Sequence, residues 1–327
     1  MKKEIRRIGV FTSGGDAPGM NAAIRAVVRN AIYHDLEVYG INRGYEGMIH
    51  GQFKKLESRD VANIIHRGGT ILKTSRSQDF MTPEGRATAF KMLQEHGIDA
   101  CVAIGGNGTF TGAEVFKNEH GISFIGLPGT IDNDLFGTDF TIGFDTAINT
   151  AVEAADKIRD TADSHDRLFF IEVMGRSSGY IALYTGIGSG AGSILIPEEE
   201  MNIDKLVDTL KMAAKRKKMF SLIIVAEGNK NGGAAEIAAK VKEKYNHYDT
   251  KVTIIGHLQR GGSPTCFDRV LASRLGFAAV EAILKGKENV MAGVINDQII
   301  YTPFAEAISS SKPFKKDLMP VAHILGL

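Results

Sequence analysis

Ile8-Gly9-Val10-Phe11-Thr12-Ser13-Gly14-Gly15-Asp16-Ala17-Pro18-Gly19-Met20-Asn21 passes from a short apolar run through a paired-glycine turn into a helical-period segment, Met20 to His34. A second apolar run follows at Glu37 to Ile41, so the stretch reads as strand, loop, helix, strand, the repeating unit of a parallel sheet. The rhythm continues outward. Further strand-length runs lie at Ala100 to Ile104, Ser123 to Leu127, Leu168 to Val173, Ser193 to Ile196, Leu222 to Ala226 and Val252 to Gly256. Helical periodicity returns at Phe144 to Thr161, Ile203 to Lys218, Ala234 to Tyr245 and Phe267 to Lys285. This alternation predicts an α/β fold, a mainly parallel sheet with helices on both faces. In such sheets ligands sit beyond the carboxyl ends of the strands, so the loops that follow strands are where function is sought.

With 327 residues and 43% hydrophobic content the chain buries ample core and divides most naturally into two domains. Basic and acidic residues number 39 and 38, a balance that creates no global field drawing the chain to nucleic acid or a membrane surface. Only Cys101 and Cys266 occur, too few for a disulfide framework and consistent with a reducing cytoplasmic setting. The apolar run after the basic start is broken at Ser13-Gly14-Gly15-Asp16, so no export signal is expected. Ser177 to Pro197 carries no charge, but its many glycines read as globular chain and not as a bilayer span. Neither a low-complexity linker nor a short-period repeat is visible.

Five loops carry the chemistry. In Thr12 to Asn21 the glycines let backbone amides approach an anion, and the helix that follows brings Arg25 and Arg29; the alternative is a plain turn, and no Gly-Lys-Ser/Thr closes it as in a Walker A loop. Gly105-Gly106-Asn107-Gly108-Thr109 precedes a helix expected from Phe110 onward, with a spacing wrong for a dinucleotide fingerprint. Pro128-Gly129-Thr130-Ile131-Asp132-Asn133-Asp134 places two carboxylates at a strand end, suited to a base and a metal partner, although Asp and Asn also make ordinary turns. Met174-Gly175-Arg176-Ser177-Ser178-Gly179 contains Gly-x-Ser-x-Gly, which opens a rival reading as a serine hydrolase with Ser177 as nucleophile and His257 in its triad. Gly256 to Pro264 supplies His257 and Arg260, a pair able to grip a phosphate dianion. Arg167, Arg176, Glu227, Lys251, His257 and Arg260 all fall near strand ends, and together they read as a phosphosugar pocket.

Thr12 to Asn21, Arg67-Gly68-Gly69-Thr70, Pro128 to Asp134, Thr141-Ile142-Gly143-Phe144, Glu172 to Arg176 and Gly256 to Pro264 reproduce, in order, the signatures of the bacterial 6-phosphofructokinase family, which the chain resembles nearly end to end. The resemblance implies two interleaved three-layer α/β domains, residues 1–143 plus 260–310 for ATP and 144–259 plus 311–327 for fructose 6-phosphate. It also implies a cytoplasmic homotetramer with shared active sites and magnesium-dependent transfer of the ATP γ-phosphoryl group to the sugar 1-hydroxyl, the committed step of glycolysis. By motif, Asp132 resembles the base, with Thr130 beside it, Asp134 near the metal, and Arg76 and Arg176 as catalytic cations. Gly15, Tyr45, Arg76, Ser77, Gly106, Asn107, Gly108 and Thr109 correspond to the ATP site. Thr130, Ile131, Asp132, Met174, Gly175, Arg176, Glu227, His257, Leu258, Gln259 and Arg260 correspond to the sugar-phosphate site, with Arg167 and Lys251 reaching in from a neighbouring subunit. The family binds ADP or phosphoenolpyruvate between subunits, and Arg25, Arg29, Arg159, Arg216 and Lys218 keep that basic character.

Four features set this chain within or apart from the pattern. Pyrophosphate-using relatives carry Asp at the place of Gly108 and Lys at that of Gly129, so two glycines favour ATP. Asn107 stands where Asp is usual beside the nucleotide's metal, which weakens the magnesium contact and supports an alternative reading as a non-catalytic metabolite sensor. Lys251 replaces the usual Arg, a point charge in place of a fork. Around the effector cluster, Gly192, Met219, Phe220 and Ser58 replace a Glu and several basic or imidazole side chains.

Overall fold

The structure, a computed structural model, describes residues 4–164, 167–200, 202–215 and 222–326. Arg216, Lys218, Met219 and Phe220 lie outside the described residues. In chain order the elements are β1 (Arg7–Thr12), α1 (Met20–Tyr33), β2 (Glu37–Ile41), α2 (Gly44–Ile49), β3 (Phe53–Leu56), α3 (Pro83–Glu95), β4 (Ala100–Gly105), α4 (Asn107–His120) and β5 (Ser123–Pro128). They continue with α5 (Phe144–Asp163), β6 (Arg167–Val173), α6 (Tyr180–Gly188), β7 (Ser193–Leu195), α7 (Ile203–Lys215), β8 (Leu222–Ala226), α8 (Ala234–Lys244) and β9 (Asp249–Ile254). The last are α9 (Cys266–Leu284), β10 (Val290–Ile295), β11 (Gln298–Pro303), α10 (Phe304–Ser309) and α11 (Leu318–Leu325).

Two compact units result: Met1–Thr130, Leu135–Asp145 and Arg260–Lys312 form the first, and Ile131–Asp134, Thr146–Gln259 and Pro313–Leu327 the second. The first holds a seven-stranded sheet in the order β11-β10-β5-β4-β1-β2-β3. Its inner strands are parallel, while β3 and β11 close the two edges by antiparallel pairing. The second holds a parallel four-stranded sheet, β7-β8-β6-β9. This is the α/β class expected.

Apolarity explains the inner strands. All six residues of β4 are buried, as is every residue of β8, the continuous burial that helices on both faces impose. The first core gathers Phe11, Phe110, Phe116, Phe124 and Phe304, and burying a side chain of this size stabilises by roughly 1.5–3 kcal/mol. Leu168, Phe170, Leu210, Ile223 and Val225 sit in the core of the second unit.

The departures from the sequence reading are instructive. β3 was not expected because Phe53-Lys54-Lys55-Leu56 has exposed lysines at its centre, the charged signature of an edge strand. The β10–β11 hairpin turns on Asn296 and Asp297, both with positive φ, a short-range signal of the kind that marks two-residue turns. α4 begins at Asn107 and not at Phe110, its first turn disguised by Gly108. β9 runs from Asp249 to Ile254 in place of Val252 to Gly256, because its ladder with β6 starts at the pair Arg167 and Asp249 while Gly256 takes φ 54° and leaves the extended region. Among the described residues no helix is long and apolar enough to cross a membrane; the uncharged stretch after Ser177 becomes the nine-residue α6 and the short β7.

Burial separates the two cysteines. Cys101 is inside β4, and desolvation pushes its thiol up to about 12, whereas Cys266 at the start of α9 is exposed. Iodoacetamide at mildly alkaline pH is expected to alkylate Cys266 and spare Cys101 until denaturant is added. Peptide mass mapping checks this, and native-state labelling of Cys101 would contradict its burial.

Candidate active site

In the first unit the chain runs outward from β1 through β2 to β3 and then returns to lay β4 on the other side of β1. The carboxyl ends of β1 and β4 therefore flank the topological switch point, where an open α/β sheet receives its ligand. Their loops are tied together. Ser13 N–H donates to Ile104 O at 3.0 Å, and Thr109 Oγ1 donates to Ser13 O at 3.2 Å. Thr12 reaches Thr70 and the Lys73 carbonyl through its hydroxyl. Buried Asn21 donates to the Arg67 and Gly68 carbonyls and accepts from Ile71 N–H, which fastens the Arg67 to Thr70 segment to the start of α1.

Arg260 lies over Gly15. A Cβ there would stand 2.6 Å from Nη1, and the same nitrogen donates to Asp16 O at 3.1 Å. Tyr45 is buried, stacked on Phe80 at 3.9 Å and donating its hydroxyl to Thr109 O at 2.6 Å, so it supports the Gly105 to Thr109 loop from below. Ser77 Oγ accepts from Phe80 N–H, and Arg76 beside it is exposed. No side chain caps the first turn of α4 and no acidic residue lies in it. Asn107 and Gly108 open that helix in exposed positions, an N-terminus available to an anion by virtue of its amides and dipole.

The segment after β5 is held at its base. Gly129 N–H donates to Gly105 O, Ile142 N–H to Pro128 O, and Thr141 Oγ1 to Thr130 O at 2.6 Å. Two helix starts are then tied to each other. Asp268, wholly buried in the first turn of α9, accepts from Gly143 N–H at 2.9 Å, and Asp145 in the first turn of α5 accepts from Thr265 Oγ1 at 2.6 Å. Thr265 also takes the Asp268 N–H, so Thr265-x-x-Asp268 is a capping pattern legible in the sequence. Between these anchors the chain carries Ile131, Asp132 and Asn133, all buried, with Asn133 at φ 51°. Asp134 is half-buried.

In the second unit the segments after β6, β8 and β9 converge. One oxygen of Glu227 accepts from Gly175 N–H at 3.2 Å and Arg176 N–H at 2.6 Å. Arg176 takes φ 53°, and the backbone of Gly228 passes so close that a Cβ on it would overlap the Arg176 carbonyl. The guanidinium itself is exposed, as are His257 and Leu258. Gln259, expected among the ligands, is fully buried and its amide is spent on the frame: it accepts from Met174 N–H at 2.8 Å and donates to Ala147 O at 3.3 Å. The Gly-x-Ser-x-Gly reading loses its geometry, since Arg176 and not Ser177 holds the left-handed position a nucleophile elbow needs.

Arg167 and Lys251 do not join this group. Arg167 opens β6, at the strand's amino end, and Lys251 is inside β9, so the expectation of a strand end holds for Arg167 and is corrected for Lys251. The seven residues of β6 separate Arg167 from Met174 by roughly 20 Å. Of the residues expected at an effector site, Arg25 is half-buried and Arg29 exposed, one turn apart on α1. Burial, and then the charge of Arg29, lower the Arg25 pKa. Arg159 donates to the Ser189 carbonyl.

Comparison with known proteins places these features. A family model described as phosphofructokinase matches residues 7–283. An ATP-dependent 6-phosphofructokinase of Cytophaga hutchinsonii is 56% identical over 98% of both chains. ATP-dependent 6-phosphofructokinase 2 of Bacteroides thetaiotaomicron is 55% identical over 99% of both. Among solved structures, phosphofructokinase from Saccharomyces cerevisiae superposes with a TM-score of 0.87 at 38% identity, covering 98% of this chain and 46% of the yeast chain. A pyrophosphate-dependent phosphofructokinase from Marinobacter aquaeolei gives a TM-score of 0.84 at 25% identity, covering 98% and 91%.

Replacing Gln259 by Leu would strand the Met174 N–H in a buried setting, while the Ala147 carbonyl keeps its bond within α5. The unsatisfied amide costs about 1–3 kcal/mol, and the loss should appear as a lowered denaturant midpoint with the slope unchanged.

Proposed function

We propose how the residues divide the work in a chain that belongs to the phosphofructokinase family. The protein is an ATP-dependent 6-phosphofructokinase: it transfers the γ-phosphoryl group of ATP to the 1-hydroxyl of fructose 6-phosphate, giving fructose 1,6-bisphosphate and ADP. The sensor reading suggested by Asn107 finds no support in relatives that share more than half of the sequence.

Loops of the first unit take the nucleotide. The uncapped start of α4 faces phosphate charge with backbone amides, Gly15, Gly106 and Gly108 keep side-chain bulk away from it, and Thr109 ties its hydroxyl to Ser13 O. A Cβ on Gly108 meets nothing within 4 Å, so an Asp there would project into open space at the helix start. Its absence leaves that space to the nucleotide and supports ATP as donor.

Asp132 accepts the proton of the sugar 1-hydroxyl as the oxygen bonds to the γ-phosphorus and the bond to the ADP oxygen breaks. The loose transition state asks little of the base beyond position, and the anchored segment around Asp132 supplies position. Thr130 lies beside it in sequence, while Arg76 and Arg176 offset the charge spread over the transferring group. Met174, Gly175, Arg176, Glu227, His257 and Arg260 receive the sugar phosphate. The Glu227 carboxylate, spent on two amides, sets the backbone of Arg176, and that double hydrogen bond is the observation that carries the reading.

A magnesium ion would arrive mainly on the nucleotide phosphates. Asn107 and Asp134 would face it, and when bound it neutralises developing phosphate charge. Arg167 and Lys251 suit a shared site: Arg167 opens β6 at the end opposite Met174 and Arg176, and Lys251 is paired near that end in β9, so they serve a neighbouring subunit's phosphate in a cytoplasmic homotetramer. Arg25, Arg29 and Arg159 serve an anionic effector, ADP or phosphoenolpyruvate, which would relieve the repulsion between the two guanidiniums on α1.

Purified protein with magnesium and fructose 6-phosphate should release ADP from ATP and show little turnover when pyrophosphate replaces it; the reverse pattern would overturn the donor assignment. Asp132→Ala is expected to lower kcat by about 10²–10⁴ while fructose 6-phosphate still binds by calorimetry; parallel loss of binding would remove Asp132 from its role. Asn107→Asp should reduce the magnesium concentration for half-maximal rate, and an unchanged value would show that this side chain does not face the metal.

A further inference from the structure

Resting on the reading that Arg167 and Lys251 hold a sugar phosphate, we propose that Asp249 is a positioning residue that sets these two cations as a pair for a phosphate monoester dianion.

The register of the second sheet creates the arrangement. β6 and β9 run parallel with Arg167 paired to Asp249 and Phe169 to Lys251. Side chains alternate along a strand, so Asp249 and Lys251 share one face, and the cross-strand partner of Asp249 lies on that face with them. Asp249 then uses its two oxygens separately. Oδ1 accepts from Lys251 Nζ at 2.8 Å and Oδ2 from Arg167 Nε at 2.9 Å. The Lys251 bond first, and the Arg167 bond second, hold the carboxyl below its ordinary range. All three side chains remain partly solvated, at 31% for Arg167, 44% for Lys251 and 52% for Asp249.

The trio carries a net charge of one positive unit and keeps donors on both cations. Arg167 offers its remaining guanidinium N–H groups and Lys251 two further ammonium protons. Their need for a guide differs from that of a two-arginine pair. A guanidinium is a rigid planar fork, whereas the ammonium of Lys251 sits on a flexible stem and meets an anion from any direction. Asp249 removes that freedom before the phosphate arrives. It gives up some attraction for the dianion in exchange for order, and the order is specific, because each carboxylate oxygen takes one of the two cations.

The experiment compares Asp249→Asn and Asp249→Glu in steady-state kinetics of the full chain with fructose 6-phosphate and ATP. Asparagine keeps one oxygen and turns an NH2 group toward the other cation, so the KM for the sugar phosphate should rise about three- to fivefold, the scale of an exposed bridge. The kcat at saturating sugar and the KM for ATP should hold, and glutamate should recover most of the loss. An unchanged KM in Asp249→Asn would overturn the proposal by showing the bridge to be idle. A lowered KM would overturn it by showing that the carboxylate only competes with phosphate. A fall in kcat together with lowered thermal stability or altered mass by light scattering would also overturn it, in favour of a purely structural part. Arg167→Ala and Lys251→Ala run alongside: if neither raises the sugar-phosphate KM, the assignment of the cations fails and takes the proposal with it. If both raise it and Asp249→Asn does not, the bridge alone falls.

Discussion

Two parallel strands cannot be joined by a tight turn, so each must be followed by a crossover that leaves from the same edge of the sheet. In this protein that constraint organises everything else. It gathers the glycine-rich segments after β1, β4 and β5 on one edge of the first sheet and those after β6, β8 and β9 on one edge of the second. It also puts Arg167 on the opposite edge from Met174, since a residue that opens a parallel strand cannot share an end with the loop that follows it.

Within each unit the polar groups divide into frame and working surface. Asn21, Asp268 and Gln259 spend their hydrogen-bonding capacity on backbone groups of the loops they hold. All three are buried, where an unmet donor or acceptor would be costly. Exposed Glu227 holds two amides with only one of its oxygens. Arg76, Arg176 and His257 are left exposed and free to meet an anion. A frame ordered in this way presents its amides and cations without reorganising when charge develops, which is the condition for electrostatic stabilisation in phosphoryl transfer.

Much of this was legible in the residues. The apolar runs of β1, β4 and β8 are unbroken because both faces are covered, and each ends in glycine or a polar loop that announces the ligand edge. β3 was hidden because an edge strand tolerates lysines, and the start of β9 because Asp249 and Lys251 carry no apolar signal; their strand exists through pairing with β6. Gln259 was expected among the ligands by its place in the motif from Gly256 to Pro264, and only its burial and hydrogen bonds show that both ends of the side chain are occupied.

By itself the sequence determined the α/β class, the family, the glycines at positions 108 and 129, and the loops proposed to carry the chemistry. These are consequences of local composition and order along the chain, which residue spacing records directly. Tertiary structure alone decided which polar side chains are frame and which are surface, that the starts of α5 and α9 are tied through Asp268 and Asp145, and that Asp249 lies between Arg167 and Lys251. The partners in those contacts stand far apart in sequence, and strand register and burial, set by the packing of the whole unit, are what bring them within hydrogen-bond distance.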